Sequence, residues 1–210
     1  MNNKNNKKKI LFIILLLVLL IGGFIFVYKN TYEATTANGQ ETKIFVFNDV
    51  SYDIYNFELF SGEFINVYDN GNKKMILKIR KGKLNGTITE YYSNGIIKFI
   101  GDYYNNQIAN GCASFYYQNG NLSHYFCYKN GKQDGSQVIL YENGNMKVQA
   151  EMKQGRLMGT ELIFRENGTL LYEIDNNYAI AREFDENGNF IGIPSNEKVK
   201  KIFKSIVWKL

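Results

Sequence analysis

Apolar and polar residues alternate along most of the chain, and an Asn-Gly pair interrupts this pattern about every 24 residues. An apolar residue usually stands four positions before the glycine of each pair, and others stand two and four positions after it. Apolar residues two apart on both sides of a turn are typical of strands with one buried face. Each unit is therefore predicted to be a β-hairpin. The six pairs begin at Asn70, Asn94, Asn119, Asn143, Asn167 and Asn187.

The apolar columns also predict the type of turn. A loop of Asn119 and Gly120 alone would set Tyr116 opposite the polar Ser123. Pairing Tyr116 with Leu122 leaves a three-residue loop, which matches a type I turn followed by a glycine in the left-handed region. A shift by one residue would turn every side chain to the wrong face, so the three-residue loop is favoured.

A second glycine signal keeps nearly the same step and is predicted to join one hairpin to the next. It appears as Lys81–Gly86, Lys129–Gly135 and Lys153–Gly159. The two signals together predict an all-β fold, an extended antiparallel meander of repeated hairpins over residues 62–193. Residues 43–61 are predicted to form a degenerate hairpin that caps the start of this array.

The repeat resembles a known family. Tyr-Tyr-x-Asn-Gly-x-Leu/Ile occurs at Tyr91–Ile97 and Tyr116–Leu122, and Lys-x-Gly-Lys/Arg-x-x-Gly occurs at Lys129–Gly135 and Lys153–Gly159. This pattern resembles the MORN-repeat variant, in the form found in bacterial YwqK-family antitoxins. The resemblance implies a twisted sheet of hairpins that serves as a scaffold or as a protein- or lipid-contacting surface. The pattern departs at Lys73, at residues 105–107 and in the shortened last unit.

The N-terminal region is predicted to anchor the chain in a membrane. The basic segment 1–9 precedes an apolar run, Ile10–Tyr28, whose 19 residues reach about 28 Å as a helix. The lysines before this run place the N-terminus in the cytoplasm and the repeats outside. A cleaved signal peptide, which would leave the body secreted or periplasmic, is the alternative. Residues 29–42 are predicted to be a polar linker.

Residues 194–210 are predicted to end the chain with a short basic amphipathic helix. Pro194 ends the sheet, and Ser195 is a suitable N-cap. The helix would lie on the membrane surface or cover the open edge of the last hairpin. Its apolar residues are Val199, Ile202, Phe203, Ile206, Val207 and Leu210.

The net charge of +5 comes from the two ends of the chain, so the body carries a small negative charge. Nucleic acid is therefore not expected as a partner. One basic cluster stands in the first repeat, and we consider it a candidate contact for anionic lipid headgroups. Its members are Lys73, Lys74, Lys78, Arg80, Lys81 and Lys83.

No pattern of catalytic or metal-binding residues is found in the sequence. His124, the only histidine, stands in the column occupied by Phe99 and Val148, which indicates a packed residue of the sheet. An enzyme is not expected, and neither is a cofactor or a metal. Cys112 and Cys127 flank one hairpin, and the oxidising compartment expected outside the membrane would permit a disulfide between them. The three-residue loop sets Cys112 opposite Phe126 and favours two free thiols, whereas a four-residue loop would set the two cysteines directly opposite each other.

A row of tyrosines precedes the Asn-Gly pairs and is a candidate partner surface. The residues are Tyr68, Tyr92, Tyr117 and Tyr141. They are predicted to be exposed on the face opposite the core column. Tyrosines are common at protein interfaces, but neighbouring rings also pack along a sheet without any partner.

These observations favour a membrane-anchored scaffold that presents a hairpin array to a protein or envelope partner outside the cytoplasmic membrane. An antitoxin or immunity protein that occludes a toxin is the second hypothesis. A module that binds a phospholipid surface is the third.

Overall fold

The computed structural model describes residues 31–178, 180–195, 197–198 and 200–201, and these residues form one antiparallel sheet. The predicted membrane segment, residues 10–28, lies outside the described residues. No helix within the described ranges is long and apolar enough to cross a membrane. The strands are β1 (Thr31–Thr36), β2 (Glu41–Phe47), β3 (Val50–Asp53), β4 (Gly62–Val67), β5 (Lys73–Arg80), β6 (Lys83–Leu84), β7 (Gly86–Tyr91), β8 (Ile97–Tyr104), β9 (Gln107–Ile108), β10 (Gly111–Tyr116), β11 (Leu122–Lys129), β12 (Lys132–Leu140), β13 (Met146–Lys153), β14 (Arg156–Phe164), β15 (Leu170–Asp175), β16 (Ile180–Phe184) and β17 (Phe190–Gly192).

The sheet is a meander, as the sequence predicted. From β4 to β17 each hairpin pairs with the next in chain order, and the short strands β6 and β9 precede β7 and β10. β1 adds to the free side of β4, and β2 and β3 follow it. All these pairings are antiparallel, so neighbouring repeats are joined by backbone hydrogen bonds along the whole array.

The turn of each Asn-Gly hairpin is the predicted three-residue loop. In the third hairpin Tyr116 lies opposite Leu122, and the Gly120 amide donates to the Tyr117 carbonyl at 3.0 Å. The Tyr117 amide donates to the Asn121 carbonyl at 2.8 Å. Gly120 has a φ of 90°, in the left-handed region that residues with a side chain rarely adopt. This geometry is a type I turn closed by a glycine.

The register just beyond the turn differs from the uniform register assumed from the sequence. Tyr116 lies opposite Leu122, but Phe115 lies opposite His124, so Ser123 is an extra residue on the second strand. The same shift occurs in all six Asn-Gly hairpins of the described chain. It is a β-bulge. Because of the extra residue, side chains of the second strand do not strictly alternate between the two faces of the sheet.

The bulge corrects the predicted faces of the sheet. Directly opposed residues share a face, so Tyr116 and Leu122 share one face while Phe115 and His124 share the other. The predicted single apolar column is therefore two columns on opposite faces. We call the face of His124 the core face and the face of Tyr116 the outer face.

The hydrophobic core lies on the core face. Its middle cluster contains Ile88, Phe99, Ala113, Phe126 and Tyr128, all of them buried. A second cluster covers the later hairpins, and a third joins the N-terminal strands to β5. Small and large side chains alternate across the strands, as Ala113 beside Phe126 shows, which lets neighbouring rows interlock.

From β5 to β14 successive hairpins are joined by two-residue turns, and four residues join β15 to β16. Asn130 and Gly131 have φ values of 53° and 72°, which is type I′ geometry and suits the twist of the flanking strands. Asn105 and Asn106 replace the linker glycine that one repeat lacks, and their φ values are 50° and 66°. Asparagine adopts the left-handed region of φ more readily than most residues with a side chain, so the turn keeps its geometry without glycine.

The predicted N-terminal cap is present and larger than expected. β2 and β3 form the hairpin predicted for residues 43–61. Residues 31–36 form β1, so the prediction of a linker over residues 29–42 is wrong for this part. The polar composition concealed the strand, but Ala34 is buried in the cap cluster beside Ile44 and Ile79.

Most of the predicted C-terminal helix, including residues 202–210, lies outside the described residues. Residues 197, 198, 200 and 201 have helical backbone. The Lys198 amide lies 3.4 Å from the Ser195 hydroxyl, as expected for an N-cap. The Lys198 ammonium pairs with Glu183 of β16 at 2.5 Å, so the start of this segment contacts the last hairpin.

Candidate interaction surfaces

The tyrosine row forms a hydrogen-bond ladder between repeats. The Tyr92 hydroxyl donates to the Tyr116 carbonyl at 2.7 Å, and the Tyr117 hydroxyl donates to the Leu140 carbonyl at 2.7 Å. Tyr68 and Tyr141 make the same bond, at 2.8 and 2.9 Å. Each tyrosine therefore reaches the backbone of the following hairpin, 23 or 24 residues later.

Arg165 takes the place of tyrosine in the fifth repeat. Its guanidinium donates to the Phe184 carbonyl at 2.6 Å and to the Asp185 carbonyl at 2.9 Å. It also donates to the Leu170 carbonyl at 2.8 Å. The last unit is shorter than the others, and the long forked side chain of arginine makes the same connection across a 20-residue step.

The asparagines of the turns form a second ladder. The Asn119 side chain accepts from the Asn121 amide at 2.9 Å, which fixes its own turn. The side-chain amides of Asn119 and Asn121 then donate to the Glu142 carbonyl of the next turn, at 3.2 and 2.8 Å. Asn143 and Asn145 repeat this arrangement with the following turn. The Tyr-x-Asn-Gly pattern, followed by asparagine in the first, third and fourth hairpins, thus encodes contacts between units as well as the turn itself.

The ladder changes how the tyrosine row is interpreted. All four rings are half-buried, and every hydroxyl is bonded within the array. Their polar atoms are therefore used for structure, and only parts of the rings face solvent. A contact role for these rings stays a prediction.

The basic cluster is spread along one strand. Lys73 and Arg80 are the two ends of β5, about 23 Å apart at the usual rise per residue. All six side chains are exposed. Arg80 lies opposite Lys83 beside the turn that holds Lys81, and Lys78 lies opposite Glu63. The sequence cluster thus becomes a compact group of three cations at one turn and a line of three others, and lipid contact by these residues stays a prediction.

His124 is a half-buried member of the core face. Its ring meets Phe115 and Phe126 edge to face, at centroid distances of 6.0 and 5.6 Å. The Ser123 hydroxyl lies 2.6 Å from its Nδ1. Burial lowers the pKa of His124, and the nearby Lys147 ammonium lowers it further. These contacts match the packed role predicted from its column.

Cys112 and Cys127 form a disulfide, so the prediction of two free thiols is wrong. The residues lie directly opposite each other on the outer face. The cause of the error is the bulge at Ser123, which moves Cys127 by one position relative to a uniform register. The disulfide ties together the two strands of the third hairpin.

Two buried polar side chains on the core face were not noticed in the sequence. Glu161 is fully buried, and both its carboxylate oxygens lack a hydrogen-bond partner within the described residues. Burial raises its pKa from 4.5 to about 7. Gln137 is also fully buried, and its side-chain amide donates to the carbonyls of Cys127 and Gly135. Its side-chain oxygen has no hydrogen-bond partner among the described residues. Both stand where the alternating pattern predicts apolar residues, which is the signal that would have found them.

A groove of about 670 Å³ separates the N-terminal cap from the start of the array. Ile44 and Val46 of the cap and Phe64 and Leu77 of the array line its apolar wall. The Asn106 side chain donates to the Asp49 carbonyl at 2.8 Å and so ties the cap to the turn between β8 and β9. The groove is a consequence of the cap packing against the array.

The comparison with protein families agrees with this geometry. Residues 84–106 and 109–130 match the family described as MORN repeat variant. These two stretches carry the second and third Asn-Gly turns and the ladder residues Tyr92 and Tyr117. A search of curated proteins found no match. The resemblance to MORN repeat variants is confirmed, while the resemblance to YwqK-family antitoxins stays a prediction.

Proposed function

We propose that this MORN-repeat variant protein is a binding module anchored in the cytoplasmic membrane, with its hairpin array displayed outside to a protein or envelope partner. MORN repeats suggest a repeat-based binding module, and the apolar run Ile10–Tyr28 would supply the anchor. The observation that carries the location is the disulfide between Cys112 and Cys127. Such bonds persist in oxidising compartments and are rare in the cytosol.

The array suits binding better than catalysis because the polar groups of its tyrosine row form hydrogen bonds that hold the hairpins together. Each hairpin is joined to the next by backbone pairing and by the ladder of Tyr68, Tyr92, Tyr117 and Tyr141. A surface held in this way loses little conformational entropy when a partner docks. We propose that the exposed parts of these four rings contribute to the partner surface.

The location is tested by fusing a phosphatase that is active only outside the cytoplasm to the C-terminus. We expect an active fusion, together with a mature mass that still includes residues 1–30. An active fusion with a shortened chain would indicate a cleaved signal peptide and a secreted or periplasmic body. An inactive fusion would contradict the proposed location and would favour an antitoxin acting in the cytosol.

The disulfide itself gives an independent prediction. When the protein is purified without reductant and unfolded in the presence of a thiol-alkylating reagent, neither cysteine should be modified. After reduction both should react, and the folded protein should lose about 2–3 kcal/mol of unfolding free energy, as expected for a 15-residue loop. A variant with serine at both Cys112 and Cys127 should match the reduced protein. Alkylation of the unreduced chain would show that the thiols are free.

A further inference from the structure

The two long edges of the sheet carry opposite charges. One edge consists of the turns that join successive hairpins. Between β5 and β14 the residues in and beside these turns include seven cations, and a carboxylate at this edge, Asp134, pairs with one of them, Lys153. The cations are Arg80, Lys81, Lys83, Lys129, Lys132, Lys153 and Arg156, and all are exposed. We call this the basic edge.

The opposite edge consists of the Asn-Gly turns and is acidic. The residue just before each Asn-Gly pair stands at the tip of the turn, and in the six hairpins of the described chain it is never basic. These tip residues are Asp69, Ser93, Gln118, Glu142, Glu166 and Glu186, and all are exposed. We call this the acidic edge.

The other charges near the edges are mostly engaged within the array. Arg165 donates to three backbone carbonyls of its own and the next hairpin. The Lys147 ammonium lies 5.4 Å from the centroid of the Tyr141 ring. On the basic edge, the Asp134 carboxylate pairs with the Lys153 ammonium at 3.4 Å. It does not pair with the other cations of that edge. The opposite signs of the two edges therefore remain at the turn tips.

The charge profiles of the two edges match in position. The turn after β8 holds no charge and lies between the neutral tips Ser93 and Gln118. The turns after β11 and β13 are basic, and they lie at the same level of the array as the acidic tips Glu142 and Glu166. Both edges repeat every two strands, or about 10 Å, so charges on one edge keep step with charges on the other.

We propose that the arrays associate side by side, with the basic edge of one copy against the acidic edge of a second copy. A sheet twists by about 20° per strand, so two copies stay edge to edge over only a few strands. The contact therefore joins the two adjacent basic turns at residues 129–132 and 153–156 to Glu142 and Glu166 of the next copy. The same contact repeats from copy to copy in an open row.

The test uses the full chain in an uncharged detergent and measures its mass by sedimentation over a range of protein concentrations. At about 0.01 M salt, where charges act over about 30 Å, we expect a mass that rises with concentration. At about 1 M salt, where that distance is about 3 Å, we expect monomers. The measurement is independent of which side of the membrane the array occupies, and it applies equally if the chain is not an anchored protein.

Two charge-reversed variants identify the edges. Lys129→Glu, Lys132→Glu, Lys153→Glu and Arg156→Glu together give one variant, and Glu142→Lys with Glu166→Lys gives the other. Each alone should associate at least about tenfold more weakly than the wild type, because like charges then face each other. A one-to-one mixture of the two should associate again, since each supplies the edge that the other lacks.

A matched control reverses two charges away from the contact, Lys74→Glu with Lys78→Glu, and should associate like the wild type. Circular dichroism checks that each variant is folded. A wild type that stays monomeric at low salt would overturn the proposal. So would two folded reversed variants that associate as the wild type does, or a mixture that fails to recover association.

Discussion

Replacing Glu161 with glutamine is expected to raise the free energy of unfolding by about 3 kcal/mol at about pH 8 and to leave it nearly unchanged at about pH 4. Burial raises the pKa of this carboxyl from 4.5 to about 7 in the folded chain. The folded state therefore holds the proton more tightly than the unfolded state. A difference of about 2.5 pKa units corresponds to roughly 3 kcal/mol.

The sign of the pH dependence follows from this shift. Below about pH 4.5 the carboxyl is protonated in both states and carries no penalty. Between about pH 4.5 and 7 the unfolded chain ionises while the buried group resists, so stability falls as the pH rises. Above about pH 7 the penalty is complete and constant. Glutamine has nearly the same shape and no charge, so it removes this dependence.

The measurement is urea unfolding of both proteins at several pH values, followed by circular dichroism. Glu151→Gln is the matched control, because Glu151 lies on the neighbouring strand but is exposed. It should change the unfolding free energy by less than about 0.5 kcal/mol at every pH. Equal stability of the wild type and Glu161→Gln at about pH 8 would show that Glu161 ionises in the folded array without a penalty.

Removing the hydroxyls of Tyr92, Tyr117 and Tyr141 together is expected to lower the free energy of unfolding by about 3 kcal/mol. Each hydroxyl donates to a backbone carbonyl of the following hairpin, and the net contribution of such a bond is about 1 kcal/mol. Phenylalanine keeps the ring, so packing is unchanged. The loss reports the hydrogen bonds between repeats.

The control is a second triple substitution to phenylalanine at exposed tyrosines, Tyr55, Tyr104 and Tyr178. It should leave the stability within about 0.5 kcal/mol of the wild type. If both triple variants are equally stable, the ladder does not contribute to folding. The ladder variant also separates the structural role of the tyrosine row from its proposed role in partner contact. A partner that contacts the rings should still bind this variant under conditions in which the variant is folded.

The repeat and its turn were predictable because they depend on local chemistry. An Asn-Gly pair between alternating apolar residues specifies a hairpin, and the choice between Leu122 and Ser123 as the partner of Tyr116 specified the loop. The two-residue turns were also marked, apart from Asn105-Asn106. These features need only a few consecutive residues, and the structure bears them out.

The bulge was not predictable from the same pattern, because both faces of the sheet carry apolar residues. Tyr116 and Leu122 are half-buried on the outer face, while Phe126 and Val148 are buried on the core face. A uniform register and a bulged one therefore fit the apolar columns equally well. The disulfide depended on that difference of one residue, which is why the prediction of free thiols failed.

The hydrogen bonds between repeats could not be predicted for another reason. The Tyr92 hydroxyl meets a carbonyl 24 residues away, and a carbonyl has no signature in the sequence. The tyrosine row is visible as a column, but nothing in the column distinguishes an exposed contact surface from a ladder. The buried Glu161 is different, because it stands where the alternating pattern predicts an apolar residue, and that signal was present in the sequence.

The ladder also bears on how such a chain can change in length through gene duplication. Each unit brings both the hydroxyl and amide donors for the next unit and the carbonyls that receive those of the preceding one. A duplicated segment of one repeat would therefore arrive with its connections complete on both sides. The last junction is specialised, since Arg165 spans the short final step. The array can thus be lengthened or shortened during evolution in whole hairpins, and its length can follow the size of whatever it must reach.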